Sequence, residues 1–515
     1  MEKKYRINIA RTGMKVASIA LVIKALSFLK DAIIASNLGA TALSDAFYVS
    51  IELLMLFSTF IRSPFSAAYL PIATDEFFVC DKYEKKSFFG SIYGAMFAIG
   101  VLIMVVEFVA LDWIIRFSVP GFSTETKALL RILMILQLPI VPLSMVGAVN
   151  DGNLRLLNKF GSLEISNSII PLIYIVYFVL FRNSITPKGL AYCAVGAYLA
   201  TFIFKYLIIV NNGINYKWKA TWWRTQTIKP IWKAMIPFLL ATSVKEINSF
   251  VDKLVASLLD EGSITIQTYA SKITLTEVGI IATAISMVVF SVASKQNTGD
   301  DLEGLKKTLI EGMSFICTLI IPMCVLTIVF SKDIIQVLFG RGEFSVENVK
   351  VTALTMSIYA VGMLGAGIED VLTRIMHATK HRKYPAIISS ISVLANTGLN
   401  LLLYKQWGVY GLAFATSLVM LLKIPAYMIY TDKRIIKIGI NDGIYQEILK
   451  ILMISVVSGM VVYELRELID KYWGLPLYVL LALGTFGCFL CFSGLVVIKN
   501  KYAISIVQKM KGIMR

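Results

Sequence analysis

The chain has 515 residues, a formal net charge of +17 and a mean hydropathy of +0.73; 57% of its residues are hydrophobic and only 16% charged. A soluble protein carries about a quarter charged residues, so these values exclude one. Apolar runs of about 18 residues or more recur from end to end, the pattern of a polytopic helical membrane protein.

The first 13 residues are basic and polar. The apolar run after them is too long for a signal peptide and lacks a small-residue cleavage site, so none is expected. Windows of about 20 residues then predict helices at 14–36, 45–73, 87–111, 128–150, 161–182, 189–211, 230–258, 264–294, 308–330, 351–377, 385–404, 409–430, 445–463 and 474–498. The expected fold is all-α with these fourteen transmembrane helices. With the N-terminus inside, no even-numbered loop is poorer in Lys and Arg than its odd-numbered neighbours, most are richer, and the loops at 37–44 and 259–263 hold none. The positive-inside rule therefore predicts that both termini are cytoplasmic. This bias, with attraction to anionic membrane lipid, accounts for most of the net charge, and no nucleic acid is needed to explain it.

An internal repeat accompanies this order. Residues 24–38, KALSFLKDAIIASNL, match 245–259, KEINSFVDKLVASLL, at five positions in fifteen, with Lys24 over Lys245 and Asp31 over Asp252. At the same offset Tyr48 meets Tyr269 and Ser50 meets Ser271. The match falls where helix 1 meets helix 7, so the copies share one orientation, as in parallel-repeat transporters. The predicted organisation is an N-lobe over 1–215 (helices 1–6), a C-lobe over 216–440 (helices 7–12), and helices 13–14 with a basic cytoplasmic tail over 441–515.

Charges inside predicted spans cluster in the first two helices of each lobe: Lys24, Lys30 and Asp31; Glu52 and Arg62; Lys245, Glu246, Asp252 and Lys253; Lys272 and Glu277. An intramembrane charge costs about 2.5–3.5 kcal/mol on insertion scales and marks a pathway or a partner. Lys24, Lys245 and Lys272 are deep, which favours a water-filled cavity. Lys30, Lys253 and Glu52 either line it too or snorkel and pair within their lobe. Lys24 and Asp31, seven apart, share a helix face, whereas Lys30 is turned aside. A cation-lined cavity suits a phosphate or pyrophosphate substrate.

Other motifs are sparse. No GxxxxGK[ST], HExxH or nucleophile elbow occurs, so ATP hydrolysis and enzymatic catalysis are not indicated, and no cofactor is called for. An ion gradient such as Na+, or the membrane potential, is left as driving force. Asn396 and Asn400, four apart, with Thr416 and Asp252, have the oxygen ligands for a weakly held sodium ion; asparagines bonding neighbouring helices are the plainer alternative. His377 and His381 read as a cytosolic surface rather than a metal site. Cys488-Phe-Leu-Cys491 has redox spacing but sits in an apolar span, which favours packing.

Several stretches resemble one family. "FLKDAIIASNLGATALSDAFYVS", "FSAAYLPI", "VPGF", "IPFLLATSVKEINSFVDKLVASLL", "VLFGRGEFS", "GIEDVLTRIMHATKHRKYP" and "NTGLNLLLYKQWGVYGLAFATSL" are similar to motifs of the MurJ (MviN-type) lipid II flippases, within the multidrug/oligosaccharidyl-lipid/polysaccharide exporter superfamily. The resemblance implies fourteen helices, a cationic central cavity, and flipping of undecaprenyl-pyrophosphate-linked peptidoglycan precursor (lipid II) from inner to outer leaflet of the bacterial cytoplasmic membrane. It also implies partners in cell-wall synthesis. By this resemblance the family's helix-1 arginines fall on Lys24 and Lys30, its helix-2 aspartate on Asp45 and its helix-8 arginine on Lys272, with Lys245 as the repeat counterpart of Lys24. Lysine keeps the charge but not the bidentate fork. The family's "PNxxR…EGA" is replaced by "LLMLFSTFIRSPF", which leaves Arg62 as the nearest basic residue, and one residue is deleted before "FSAAYLP".

A flippase for another lipid-linked oligosaccharide, of capsule or O-antigen type, is the close alternative. A drug/cation antiporter of the same superfamily would want acidic cavity residues. A non-transporting scaffold would tolerate neutralisation of Lys24 or Lys272.

Overall fold

The computed structural model describes residues 9–79, 82–214, 216, 229–437, 443–473 and 475–504. Among them the chain forms sixteen helices: α1 Ile9–Leu38, α2 Ala42–Val79, α3 Lys82–Val109, α4 Leu111–Ser118, α5 Thr124–Gln137, α6 Ile140–Leu156, α7 Phe160–Leu180 and α8 Pro187–Asn211. Then follow α9 Lys229–Ala256, α10 Ser263–Thr298, α11 Leu302–Val329, α12 Ser331–Phe339, α13 Val346–Ala378, α14 Lys383–Arg434, α15 Ile444–Trp473 and α16 Leu477–Val497. Ten described helices are long and apolar enough to cross a membrane, eleven with the bent pair α5–α6 as one span. α1 and α9, whose side chains are described only in part, stand outside that count.

Local chemistry sets the helix starts. Ser123, Thr186, Asp301 and Ser345 each accept a backbone N–H three residues on, capping α5, α8, α11 and α13. Such caps satisfy donors that a helix start leaves orphaned. Pro187 follows its cap at the first helical position, where its missing N–H costs nothing.

Three departures from the predicted elements have clear causes. The single helix expected at 128–150 is bent by 50° between α5 and α6, at Pro139, which cannot donate into the helix ladder. The span predicted to end at 111 is followed by α4, and α12 precedes α13; at eight and nine residues both are too short to register as spans. The break expected between 404 and 409 is the non-helical Gly408 (φ 55°, ψ −135°) inside α14.

The chain divides into two compact units. Unit 1 holds residues 1–265 and Arg341–Phe344; unit 2 holds Ile266–Gly340 and Ser345–Arg515. The core of unit 1 is built on Phe65, Tyr69, Phe89, Met96 and Met145. That of unit 2 runs from Ile285 and Met313 through Ile320, Val371 and Tyr427 to Leu495. Within unit 2, Gly362 and Gly365 bring α13 against α14: a Cβ on Gly365 would lie 2.5 Å from the Met420 carbonyl. Small residues that admit a neighbouring backbone are how membrane helices gain contact where lipid weakens the hydrophobic drive. Side chains such as Leu102, Val109, Leu180, Leu394, Leu402, Leu481 and Phe489 are more than half exposed, a lipid-facing surface.

Candidate functional site

Arg62 stands midway along α2, two residues before Pro64. It lines a 440 Å3 cavity in unit 1 with Ser63 and Ser66 of α2, Ser144 and Asp151 of α6, and Tyr198, Thr201 and Lys205 of α8. Lys205 Nζ meets Asp151 Oδ1 at 2.7 Å; the lysine side chain is 8% exposed and the aspartate 37%. Arg62 makes no ion pair among the described residues, and its one hydrogen-bond contact there is to the Met55 sulfur, at 4.0 Å. The cavity wall thus carries two cations against one carboxylate, with hydroxyls around them. An uncommitted guanidinium presents the planar donor fork that pairs with phosphate oxygens.

A second constellation knits one end of unit 1. Asp45, 2% exposed in the first turn of α2, accepts the Gly262 and Thr265 backbone N–H groups at 2.8 Å each and the Thr265 hydroxyl at 2.6 Å. Beside it the Glu343 N–H donates to the Ser36 carbonyl at 3.0 Å. Gly342 (φ 59°) sits so close that a Cβ would lie 2.0 Å from that same oxygen. Gly121 packs its backbone on Ser257, and the Ser123 and Thr126 hydroxyls reach the Glu261 carboxylate at 3.3 and 3.0 Å. The stretches Ser36–Asp45, Val119–Thr126, Ser257–Thr265 and Arg341–Phe344 thereby form a clasp. At 1.5 Å per residue, Asp45 and Arg62 are separated by up to about 25 Å of helix.

Between these levels α2 and α9 share charge. Glu52 accepts the Ser249 hydroxyl at 2.7 Å and faces Lys253 at 3.8 Å; Asn248 donates to Asp252 at 3.1 Å. On α1, Lys30 pairs with the neighbouring Asp31 carboxylate at 2.9 Å and lies 5.7 Å from the Tyr174 ring. Lys24, half-buried, makes no ion pair or hydrogen bond among the described residues. The Lys245 side chain falls outside the described residues, as do Lys3, Lys4, Arg6, Lys217, Lys219 and Arg224 of the basic loops.

In unit 2, Lys272 is half-buried on α10. Asn396 and Asn400 are 4% and 0% exposed, one turn apart on α14, and the Thr416 hydroxyl donates to the Leu412 carbonyl at 3.0 Å. Charge is not confined to the first two helices of each predicted lobe. Lys423 reaches both Glu369 oxygens at 3.2 Å, and the Ser286 hydroxyl donates to Asp370 at 2.5 Å. Lys205, Asp151, Glu369 and Asp370 were missed. Lys205 lies alone in its apolar run, and that isolation was its signal: a single intramembrane charge needs a partner from another helix.

A family model described as "Lipid II flippase MurJ" matches residues 34–484. The "Probable lipid II flippase MurJ" of Vibrio cholerae is 25% identical over 436 residues, 80% of each chain. That of Helicobacter pylori is 28% identical over 412 residues, 75% of this chain and 86% of its own. That of Thermotoga maritima is 25% identical over 438 residues, 85% and 86% of the two chains. Among solved structures, "Lipid II flippase MurJ, inward closed conformation" shares the fold with a TM-score of 0.78, covering 94% of this chain and 98% of its own at 22% identity. An inward-facing multidrug resistance MATE family transporter of the MOP superfamily shares it with a TM-score of 0.66, covering 82% and 97% at 14% identity.

Proposed function

The chain belongs to the lipid II flippase MurJ family, and on that premise we propose that it carries lipid II from the inner to the outer leaflet of the bacterial cytoplasmic membrane for peptidoglycan synthesis. The observation that carries this reading is the family match over residues 34–484, almost the whole apolar part of the chain. The capsule and O-antigen alternative is not favoured by that match.

In this reading the chain has fourteen spans: α14 counts as two, split at Gly408, and α1 and α9 join the eleven. Both termini are cytoplasmic, on the strength of the Lys and Arg bias of the loops. Access alternates between two six-helix lobes, 1–215 and 216–440. The Arg62 and Lys205 cavity receives pyrophosphate. Arg62 is the first contact because no carboxylate among the described residues pairs with it, and Lys205 is held by Asp151 until an anion competes. Lys24 supplies a further cation on α1. Lys30 serves Asp31, and Lys272 keeps charge at the family's helix-8 arginine position. The Asp45 clasp shuts the outer end of unit 1 and opens for release. The drive is the membrane potential, worth about 2.3 kcal/mol per charge per 100 mV, or an ion gradient; the buried amides of Asn396 and Asn400 are the ligands for sodium in the second case.

Depletion and complementation test the function. In a bacterium whose own lipid II flippase is shut off, the expressed wild-type chain restores growth, whereas Arg62→Gln and Lys24→Gln restore it poorly or not at all. Wild-type chain at normal membrane levels that fails to rescue in several hosts contradicts the proposal.

A further inference from the structure

Unit 2 carries a larger cavity that lipid II transport leaves unused. It measures 590 Å3 and forms where the first turns of α11 and α15 meet the chain beyond α16. Five lysines line it, Lys306, Lys307, Lys450, Lys499 and Lys501, against three glutamates. One of those glutamates is already engaged: Glu447 accepts the Ser314 hydroxyl at 2.8 Å and the Asn500 side-chain N–H at 3.1 Å. Lys307, Lys450, Lys499 and Lys501 are exposed and make no ion pair among the described residues.

The wall is built rather than frayed. The Asn500 side chain, in a residue 4% exposed, accepts the Tyr502 and Ala503 backbone N–H groups at 3.1 and 2.9 Å. Just before Asn500, Lys499 ends α16 at φ 60°, a left-handed conformation that lysine adopts only at a cost. There the Lys499 N–H donates to the Val496 carbonyl at 2.9 Å and the Asn500 N–H to the Leu495 carbonyl at 3.0 Å. On the same helix ends Leu302, Tyr445, Leu449 and Val497 are each at least half exposed. Lysines around a pocket with apolar side chains beside it match a ligand whose anionic head is joined to hydrocarbon. A free anion would use the lysines and leave the apolar rim without purpose.

We propose that this cavity binds the phosphate headgroup of an anionic phospholipid, with the four uncommitted lysines on the phosphate and the apolar rim against the acyl chains. The site is independent of the lipid II assignment. Purified full-length chain in neutral detergent is titrated with phosphatidylglycerol, phosphatidylcholine and inorganic phosphate, and retained molecules are counted by native mass spectrometry. The expected result is retention of phosphatidylglycerol at least about tenfold stronger than of phosphatidylcholine. A lysine near a lipid surface contributes on the order of a fivefold change in binding. Lys450→Gln therefore weakens phosphatidylglycerol retention by about that factor, whereas Lys350→Gln, an equal charge change at an exposed position on α13, does not. The quadruple Lys307→Gln, Lys450→Gln, Lys499→Gln, Lys501→Gln variant loses the preference. Equal retention of the two lipids by wild type overturns the proposal without recourse to any variant. An unchanged preference in Lys450→Gln or the quadruple variant also overturns it, and displacement by equimolar inorganic phosphate assigns the cavity to a soluble anion instead.

Discussion

Arg62 and Lys205 line the same cavity under different obligations, and that difference is measurable. Lys205 is 8% exposed and tied to Asp151, whose side chain is 37% exposed. Removing one member of a buried pair leaves the other charge uncompensated, at a cost of about 3–5 kcal/mol when that charge is fully buried. Asp151→Asn strands the more buried partner, so it is predicted to lower thermal stability more than Lys205→Gln, which leaves an aspartate that water can reach. Arg62→Gln breaks no pair and is predicted to leave stability within about 0.5 kcal/mol of wild type while abolishing complementation. Thermal unfolding in detergent, run beside the growth assay, separates the two behaviours. A large loss of stability in Arg62→Gln would remove it from the substrate wall. Arg62 was legible in the sequence as an intramembrane cation; the Lys205–Asp151 pair was not, because pairing across α6 and α8 is a property of packing.

At the scale of elements, the clasp and the α13–α14 seam each rest on close backbone approach. Asp45 takes three hydrogen bonds from Gly262 and Thr265, and such bonds to a charged acceptor are worth about 1.5–3 kcal/mol each. Asp45→Asn keeps one carbonyl acceptor and turns an NH2 toward an N–H donor. Hydrogen exchange at the Gly262 and Thr265 amides is predicted to accelerate at least about tenfold, the effect of 1.4 kcal/mol; unchanged protection would mean that Asp45 does not hold the clasp. In unit 2, Gly365→Val forces side-chain atoms into the Met420 backbone. Overpacking of this kind costs about 1–3 kcal/mol, so the melting temperature is predicted to fall, with Gly398→Ala, which has open space around it, as the neutral control. The sequence showed most element boundaries because hydropathy and Gly408 mark them directly. It concealed the bend at Pro139 inside a continuous apolar run, and it concealed α4 and α12 because neither is long enough to cross a membrane.

Across the whole molecule, composition and recurrent apolar runs mark an all-helical membrane protein, and the motif resemblance points to its family. "VLFGRGEFS" illustrates why the motif carried information that hydropathy did not. Its central Arg341–Phe344 segment groups with unit 1 while the helices on either side belong to unit 2, and Gly342 there admits the Ser36 carbonyl where any side chain would collide. Spacing set Lys30 aside from Lys24, and in the structure Lys30 pairs with Asp31 while Lys24 makes no ion pair among the described residues. Which carboxylate Lys30 meets is a matter of packing that spacing does not encode.

The proposed activity is movement of lipid II across the membrane. Its most direct measurement is the fraction of labelled lipid II reached by a lipid II-cleaving enzyme added from outside, in cells depleted of their own flippase and expressing this chain. Wild type is expected to restore the outer-leaflet fraction to that of undepleted cells, and Arg62→Gln to leave it near the empty-vector level. An outer-leaflet fraction no higher with wild type than with empty vector, at equal membrane levels of the protein, would contradict the proposed activity.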